Sequence, residues 1–159
     1  MKPEEKLGEI LRTRGLTIAV AESCTGGLLG SRITDVPGSS DYFRGGVIAY
    51  QNDVKEALLG VPETVLATVG AVSEETARAM AHGARVLLKS DIGVGITGIA
   101  GPGGGTPDKP VGLVYIGVEG AHGAQCRRFR WSGTRVENKA SSAAAALELV
   151  LELIRAESI

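Results

Sequence analysis

An apolar run that ends in three small polar residues and two glycines, and then resumes with helical spacing, leaves the backbone few choices. The stretch is Ala19-Val20-Ala21-Glu22-Ser23-Cys24-Thr25-Gly26-Gly27-Leu28-Leu29. It reads as a strand over residues 16–21, a tight turn, and a helix from residue 28. A strand that turns directly into a helix leaves the first helical N–H groups unpaired and pointing into the turn. Such donors suit an anion, or an oxygen that becomes one during a reaction. Gly26 and Gly27 let another molecule approach that backbone closely. Ser23 stands at the strand end with a hydroxyl able to attack. Equally, Ser23 or Thr25 serves as a helix cap, the commoner use of these residue types. The stretch alone leaves both readings open.

The rest of the chain alternates helices and strands. Residues 3–14 form a first helix with Leu7, Ile10 and Leu11 on one face and Gly15 just past its end. Residues 42–50 read as a second strand, whose Gly45 and Gly46 mark a bulge or a close approach. Asn52 caps a short helix over 53–59, and residues 61–70 are irregular or a short turn. Ser73 caps a longer helix with Glu74 and Glu75 in its first turn. Ala77, Met80, Ala81, Ala84, Leu87 and Leu88 form its apolar stripe. Residues 91–99, 110–119 and 124–131 are three further strands, the last two joined by a hairpin over 120–123. Thr134 and Glu137 make a capping box at the start of the last helix, whose apolar seam includes Val136, Ala143, Leu147 and Ile154. This order predicts a three-layer α/β/α sandwich with a mixed central sheet of about five strands, in one domain over residues 1–159.

Composition narrows the function. A length of 159 residues with 43% hydrophobic and 22% charged residues is that of a soluble domain with a real core. A net charge of -1, with Lys and Arg dispersed, argues against a nucleic-acid footprint. Aromatic residues at 4% leave little for base stacking. Cys24 and Cys126 with His82 and His122 make no recognisable metal pattern. No apolar run reaches membrane length, and the first residues lead into no signal-peptide core, so the chain reads as cytoplasmic.

Several places can carry chemistry. Ile92-Gly93-Val94-Gly95-Ile96-Thr97-Gly98 contains G-x-G-x-x-G, but it fails as a dinucleotide fingerprint. Its glycines lie inside a strand, and a loop with Pro102 follows instead of a helix. The glycine-rich loop over 98–112 is either a flexible crossing or a wall over a ligand. Lys55 falls at the third position of its predicted helix and Arg135 at the first position of the last one. Both cations face the positive end of a helix dipole. Either each is a solvated exception or each has work there. Lys55 near a helix N-terminus would favour its neutral form, and neutral lysine can act as a base. Arg135 beside free N–H groups would complete an anion site. Neither histidine is placed for a triad, so a serine nucleophile needs another base. Lys55, with Tyr50 five residues before it, is the candidate. Tyr50 equally fits a core or rim aromatic.

Ala21-Glu22-Ser23-Cys24-Thr25-Gly26-Gly27, Pro37-Gly38-Ser39-Ser40, Tyr50-Gln51-Asn52 with Lys55, Gly70-Ala71-Val72-Ser73-Glu74, and Thr97-Gly98-Ile99-Ala100-Gly101-Pro102 with Lys109-Pro110-Val111-Gly112 together resemble the CinA C-terminal-domain family. That family includes the nicotinamide-nucleotide amidohydrolases, or NMN deamidases. The resemblance runs over residues 5–155. It implies hydrolysis of the carboxamide of nicotinamide mononucleotide to nicotinate mononucleotide and ammonia, in pyridine nucleotide recycling, with no metal or redox cofactor. It implies Ser23 as nucleophile, Lys55 as its base and Tyr50 as a supporting hydroxyl. Backbone N–H groups from Thr25 to Gly27 would hold the oxyanion, and Ser40, Thr97 and Arg135 match polar positions around the pocket. The large N-terminal domain often fused to this module has no counterpart here, so activities of that domain are not expected. The alternatives are a nucleotide-binding regulatory module without turnover, linked to competence or damage, and an amidase of another substrate. The expected partner is a small nucleotide, not nucleic acid or membrane, and the apolar last helix offers a face for self-association.

Overall fold

Side chains alternate across a strand, and that alternation splits the core of this chain in two. In the computed structural model, which describes residues 1–157, Ile18 and Val20 join Val94, Ile96, Val114 and Ile116 in one buried cluster. Their neighbours Ala19 and Ala21 belong to a second cluster with Leu59, Met80 and Ala84. The elements run α1 (Pro3–Arg14), β1 (Ile18–Glu22), α2 (Leu28–Thr34), a single 3-10 turn (Ser39–Asp41), β2 (Phe43–Ile48), α3 (Asn52–Leu59), α4 (Glu63–Thr68), α5 (Glu74–Leu87), β3 (Ile92–Gly98), β4 (Leu113–Glu119), β5 (Ala124–Arg130) and α6 (Arg135–Glu157). The five strands lie in the order β2-β1-β3-β4-β5. β2 and β3 flank β1 in parallel, and β4 and β5 complete the sheet antiparallel. α1, α2 and α6 supply the first cluster, and α3 and α5 the second. The expected mixed five-stranded α/β architecture is therefore the one observed.

The glycines inside the strands are there for helix α5. A Cβ on Gly95 would stand 2.5 Å from the Ala77 carbonyl oxygen and 2.6 Å from the Ala81 nitrogen. One on Gly117 would meet the Ala77 oxygen at 2.8 Å, and one on Gly93 would run into the Ala81 carbonyl. α5 thus lies directly on the sheet backbone. The G-x-G pattern of β3 is a packing device, as its position inside a strand implies. In β2, Arg44 is the extra residue of a bulge, since Ile18 pairs with Phe43 and Ala19 with Gly45. Gly46 is close to Val20, so the two readings of these glycines both hold.

The caps expected of α5 and α6 are present. Ser73 Oγ accepts from the Thr76 amide, and Thr134 and Glu137 bond reciprocally through Glu137 N to Thr134 Oγ1 and Thr134 N to Glu137 Oε1. Two expectations need correction. Residues 63–68 form α4 rather than irregular chain or a short turn, begun by Pro62 and Glu63, a helix-start pair. Val136 is 74% exposed, so the buried seam of α6 starts further along. From Ala143 to Ile154 that seam packs into the first cluster. Among the described residues, no helix is long and apolar enough to cross a membrane.

The contact of α5 with β3 predicts a sharp cost. Gly95→Ala should lose about 1–3 kcal/mol by overpacking against backbone that cannot retreat. Gly123→Ala, where a Cβ meets nothing within 4 Å, should lose almost none. Urea midpoints at unchanged slope measure both. Equal midpoints would mean that α5 does not rest on Gly95.

Candidate active site

The parallel strands β1 and β3 are neighbours, yet the chain leaves β1 toward β2 on one side and returns as β3 on the other. At such a reversal the loops beyond the carboxyl ends of the strands part and leave a crevice. Ser23 follows β1, Thr97 stands near the end of β3, and the segment after β2 carries Tyr50 and Lys55. A cavity of about 250 Å³ opens there, lined by Ser23, Cys24, Tyr50, Lys55, Thr97 and Arg135 and walled by the backbone of 98–104.

Lys55 is 1% exposed. Its Nζ donates to the Tyr50 carbonyl oxygen at 2.9 Å and lies 3.1 Å from Ser23 Oγ. No carboxylate forms an ion pair with it among the described residues. Desolvation pushes its pKa down, with Cys24 a smaller opposing influence. The expected direction holds but the expected cause does not. Gln51, not Asn52, is the N-cap of α3, so Lys55 is the fourth helical residue, and burial rather than the dipole shifts it. A neutral amine there keeps a lone pair for the Ser23 O–H while still donating to Tyr50.

The other candidates divide. Thr97 Oγ1 donates to the Ala71 carbonyl at 2.8 Å and steadies the neighbouring wall. The Tyr50 hydroxyl, on a side chain 53% exposed, accepts from Arg135 at 2.9 Å. It does not stand between Lys55 and Ser23, whose contact is direct. Arg135 also donates to the Gly101 carbonyl at 2.7 Å. Ser40 lies exposed on the 3-10 turn and outside the cavity lining, so the fold does not bring it to Ser23 within this chain. Thr25 is buried, and among the described residues its Oγ1 has no hydrogen-bond partner.

The turn itself corrects the expected anion cradle. Gly26 and Gly27 take φ of 60° and 103°, left-handed values that favour glycine. The Gly26 amide, however, donates to the Ser23 carbonyl, and the Leu28 amide to the Thr25 carbonyl. The first amides of α2, Leu29 at 2.9 Å and Gly30 at 3.0 Å, donate to the buried Glu22 carboxylate. The chain supplies its own anion to that helix start. Glu22 was missed because its last-strand position looked like part of a polar turn. The amides of Cys24, Thr25 and Gly27 meet no acceptor among the described residues and remain available, so of the expected Thr25–Gly27 cradle only the Gly26 amide is taken. The Cys24 thiol is pushed up to about 11, chiefly by burial and further by Glu22. At neutral pH about one thiol in ten thousand is ionised, so it is a poor nucleophile beside Ser23. Among the described residues, no group of three or more His, Cys, Asp or Glu side chains is placed to hold a metal.

The CinA C-terminal domain model matches residues 1–154, and the chain belongs to that family. A putative competence-damage inducible protein of Moorella thermoacetica is 53% identical over 97% of this chain and 37% of its own length. A CinA-like protein of Synechocystis is 62% identical over 74% of this chain and 28% of its own length. The chain thus spans less than two fifths of these relatives. The crystal structure of competence/damage inducible protein CihA from Agrobacterium tumefaciens matches with a TM-score of 0.90 and 39% identity, covering 96% of each chain.

The buried amine predicts a stability signature. Because its folded pKa lies below the ordinary lysine value near 10.5, the unfolded chain binds the extra proton between those two values. Stability attributable to Lys55 should therefore rise with pH across that window. Lys55→Met should be more stable than wild type at neutral pH, and the gap should narrow as pH rises toward 10.5. Denaturant midpoints across pH measure it; a gap independent of pH would mean that folding does not lower the Lys55 pKa.

Proposed function

We propose that this domain hydrolyses the carboxamide of nicotinamide mononucleotide to nicotinate mononucleotide and ammonia, a step of pyridine nucleotide recycling. The observation that carries the reading is the 3.1 Å contact between the buried Lys55 amine and Ser23 Oγ. The names of the relatives speak of competence and damage and state no reaction.

Neutral Lys55 takes the Ser23 proton as Oγ attacks the carboxamide carbon, a serine–lysine version of triad logic. The carbonyl oxygen gains negative charge, and the free amides of Cys24 and Thr25 are the donors at hand. Lys55 returns its proton to the departing nitrogen, and ammonia leaves an ester on Ser23. Lys55, neutral again, takes a proton from water as the water attacks the ester, then gives that proton to the departing Ser23 Oγ, which releases the acid and restores the serine and the neutral amine. The positive pyridinium ring makes the carboxamide a better electrophile throughout. Arg135 has five N–H donors, of which two bonds bind Gly101 and Tyr50, so donors remain for the phosphate. The reading places the domain in the cytoplasm with a small nucleotide as its partner.

Ser23→Ala and Lys55→Ala should each remove nearly all ammonia release from the mononucleotide, and the double variant should be little worse, because the pair acts as a unit. A Lys55→Ala protein that kept most of its kcat would eliminate lysine as the base. Wild type that binds the mononucleotide in calorimetry yet releases no ammonia would be a binding module. Ammonia released only from another carboxamide would make it an amidase of that substrate.

Arg135→Ala should lower kcat/KM for the mononucleotide roughly ten- to a hundredfold, the loss of one charged hydrogen bond of about 1.5–3 kcal/mol. Nicotinamide riboside, which lacks the phosphate, should be a poor substrate for both proteins and nearly insensitive to the change. An equal loss on both substrates would assign Arg135 to the carboxamide end or to the fold.

A further inference from the structure

Arg135 and Asn138 stand three positions apart on the first turn of α6 and so share a face. Both reach to the same piece of main chain. Arg135 donates to the Gly101 carbonyl, and Asn138 Nδ2 donates to the Ala100 carbonyl at 3.0 Å. Asn138 is 2% exposed, and its Oδ1 accepts from the Gly133 amide at 3.0 Å. One turn along, Ser142 Oγ donates to the Asn138 carbonyl and accepts from Trp131 Nε1. One buried amide therefore joins the glycine-rich wall, the turn before α6 and α6 itself. An apolar side chain would fill the same space, so the matched donor and acceptor are the reason for asparagine.

The wall needs this hold. Its root is fixed by Ile99 N to the Leu113 carbonyl and Gly112 N to the Ile99 carbonyl. Its far side is held by Lys109 Nζ on the Val69 carbonyl. Among the described residues, no main-chain hydrogen bond holds residues 100–105, four of which are glycine. The two carbonyls gripped by α6 are the restraint on the part of the wall that faces the cavity. Asn138 itself does not line that cavity.

We propose that Asn138 is a positioning residue. It fixes the Ala100–Gly101 wall against α6, and so sets where that wall and Arg135 meet the phosphate end of the substrate. The kinetic consequence rests on the hydrolase reading above; the structural consequence rests on the clamp alone.

The test compares Asn138→Ala, Asn138→Asp and Ser142→Ala in the full chain. Asn138→Asp keeps an acceptor for Gly133 and loses only the donor to Ala100, so it carries the comparison if Asn138→Ala does not fold. Both Asn138 variants should raise KM for nicotinamide mononucleotide about tenfold with kcat within about threefold, the scale of a small misplacement of a binding group. Ser142→Ala should lower Tm and leave KM unchanged. In an Arg135→Ala background, Asn138→Asp should change KM by less than about twofold, because both residues act through one wall. Equal KM shifts for Ser142→Ala and the Asn138 variants, or independent effects of Arg135 and Asn138, would overturn the proposal. Hydrogen exchange over 99–105 provides the readout that needs no turnover. Faster exchange confined to the Asn138 variants upholds the clamp even if the mononucleotide is not the substrate, and equal exchange in all three variants overturns it.

Discussion

Burying an ammonium in apolar surroundings costs several kcal/mol unless a counter-charge goes with it. Among the described residues Lys55 has no such partner, only the Tyr50 carbonyl and the Ser23 hydroxyl. The stable answer is an amine that gives up its proton easily, and the fold must then hold that amine where the lone pair is of use. It does so by stacking rigid backbone on rigid backbone. α5 lies against the sheet at Gly93, Gly95 and Gly117. On its other side Gly83 meets the carbonyl of Leu59 at the end of α3. At these glycines sheet, α5 and α3 meet through main chain. Those contacts fix Ser23, just after β1, against Lys55 on α3.

The same economy governs the turn after β1. A helix start aimed at a crevice would ordinarily attract any anion. Here the Glu22 carboxylate occupies the first amides of α2 from inside the protein. That leaves the turn, among the described residues, with a narrow set of free donors, the amides of Cys24, Thr25 and Gly27, rather than a general anion trap. Under the proposed reaction, the acyl oxygen on the carbon that Ser23 attacks would meet those amides, and the phosphate would fall to Arg135 across the cavity, which has donors to spare.

What could be read from residue order was local or periodic. The strand–turn–helix at Ser23, the Ser73 cap and the Thr134–Glu137 box are short-range patterns, and each stands where its spacing put it. The absence of a placed histidine pointed to Lys55. What escaped depended on contacts between distant segments. Glu22 turning back to cap α2, Ser40 facing away from the cavity, and Asn138 gripping Ala100 leave no periodic trace. Val136 has the right spacing for the core yet is exposed at the first turn of α6. The direction of the Lys55 shift was legible, while its cause was misassigned, because burial is a property of the assembled layers and the helix dipole is a property of the sequence.

That shared burial also decides between two adjacent nucleophiles. Desolvation penalises whichever form of a group is charged. For Lys55 the charged form is the protonated one, so its pKa falls. For Cys24 it is the thiolate, so its pKa rises to about 11, with the Glu22 carboxylate adding to the rise. A thiol attacks only when ionised. A serine hydroxyl needs instead a neutral base within reach as it attacks. One water-poor environment therefore lowers the Lys55 pKa and raises that of Cys24 beside it. In the proposed reaction, the choice of oxygen over sulfur follows from the sign of the charge each side chain would have to bury.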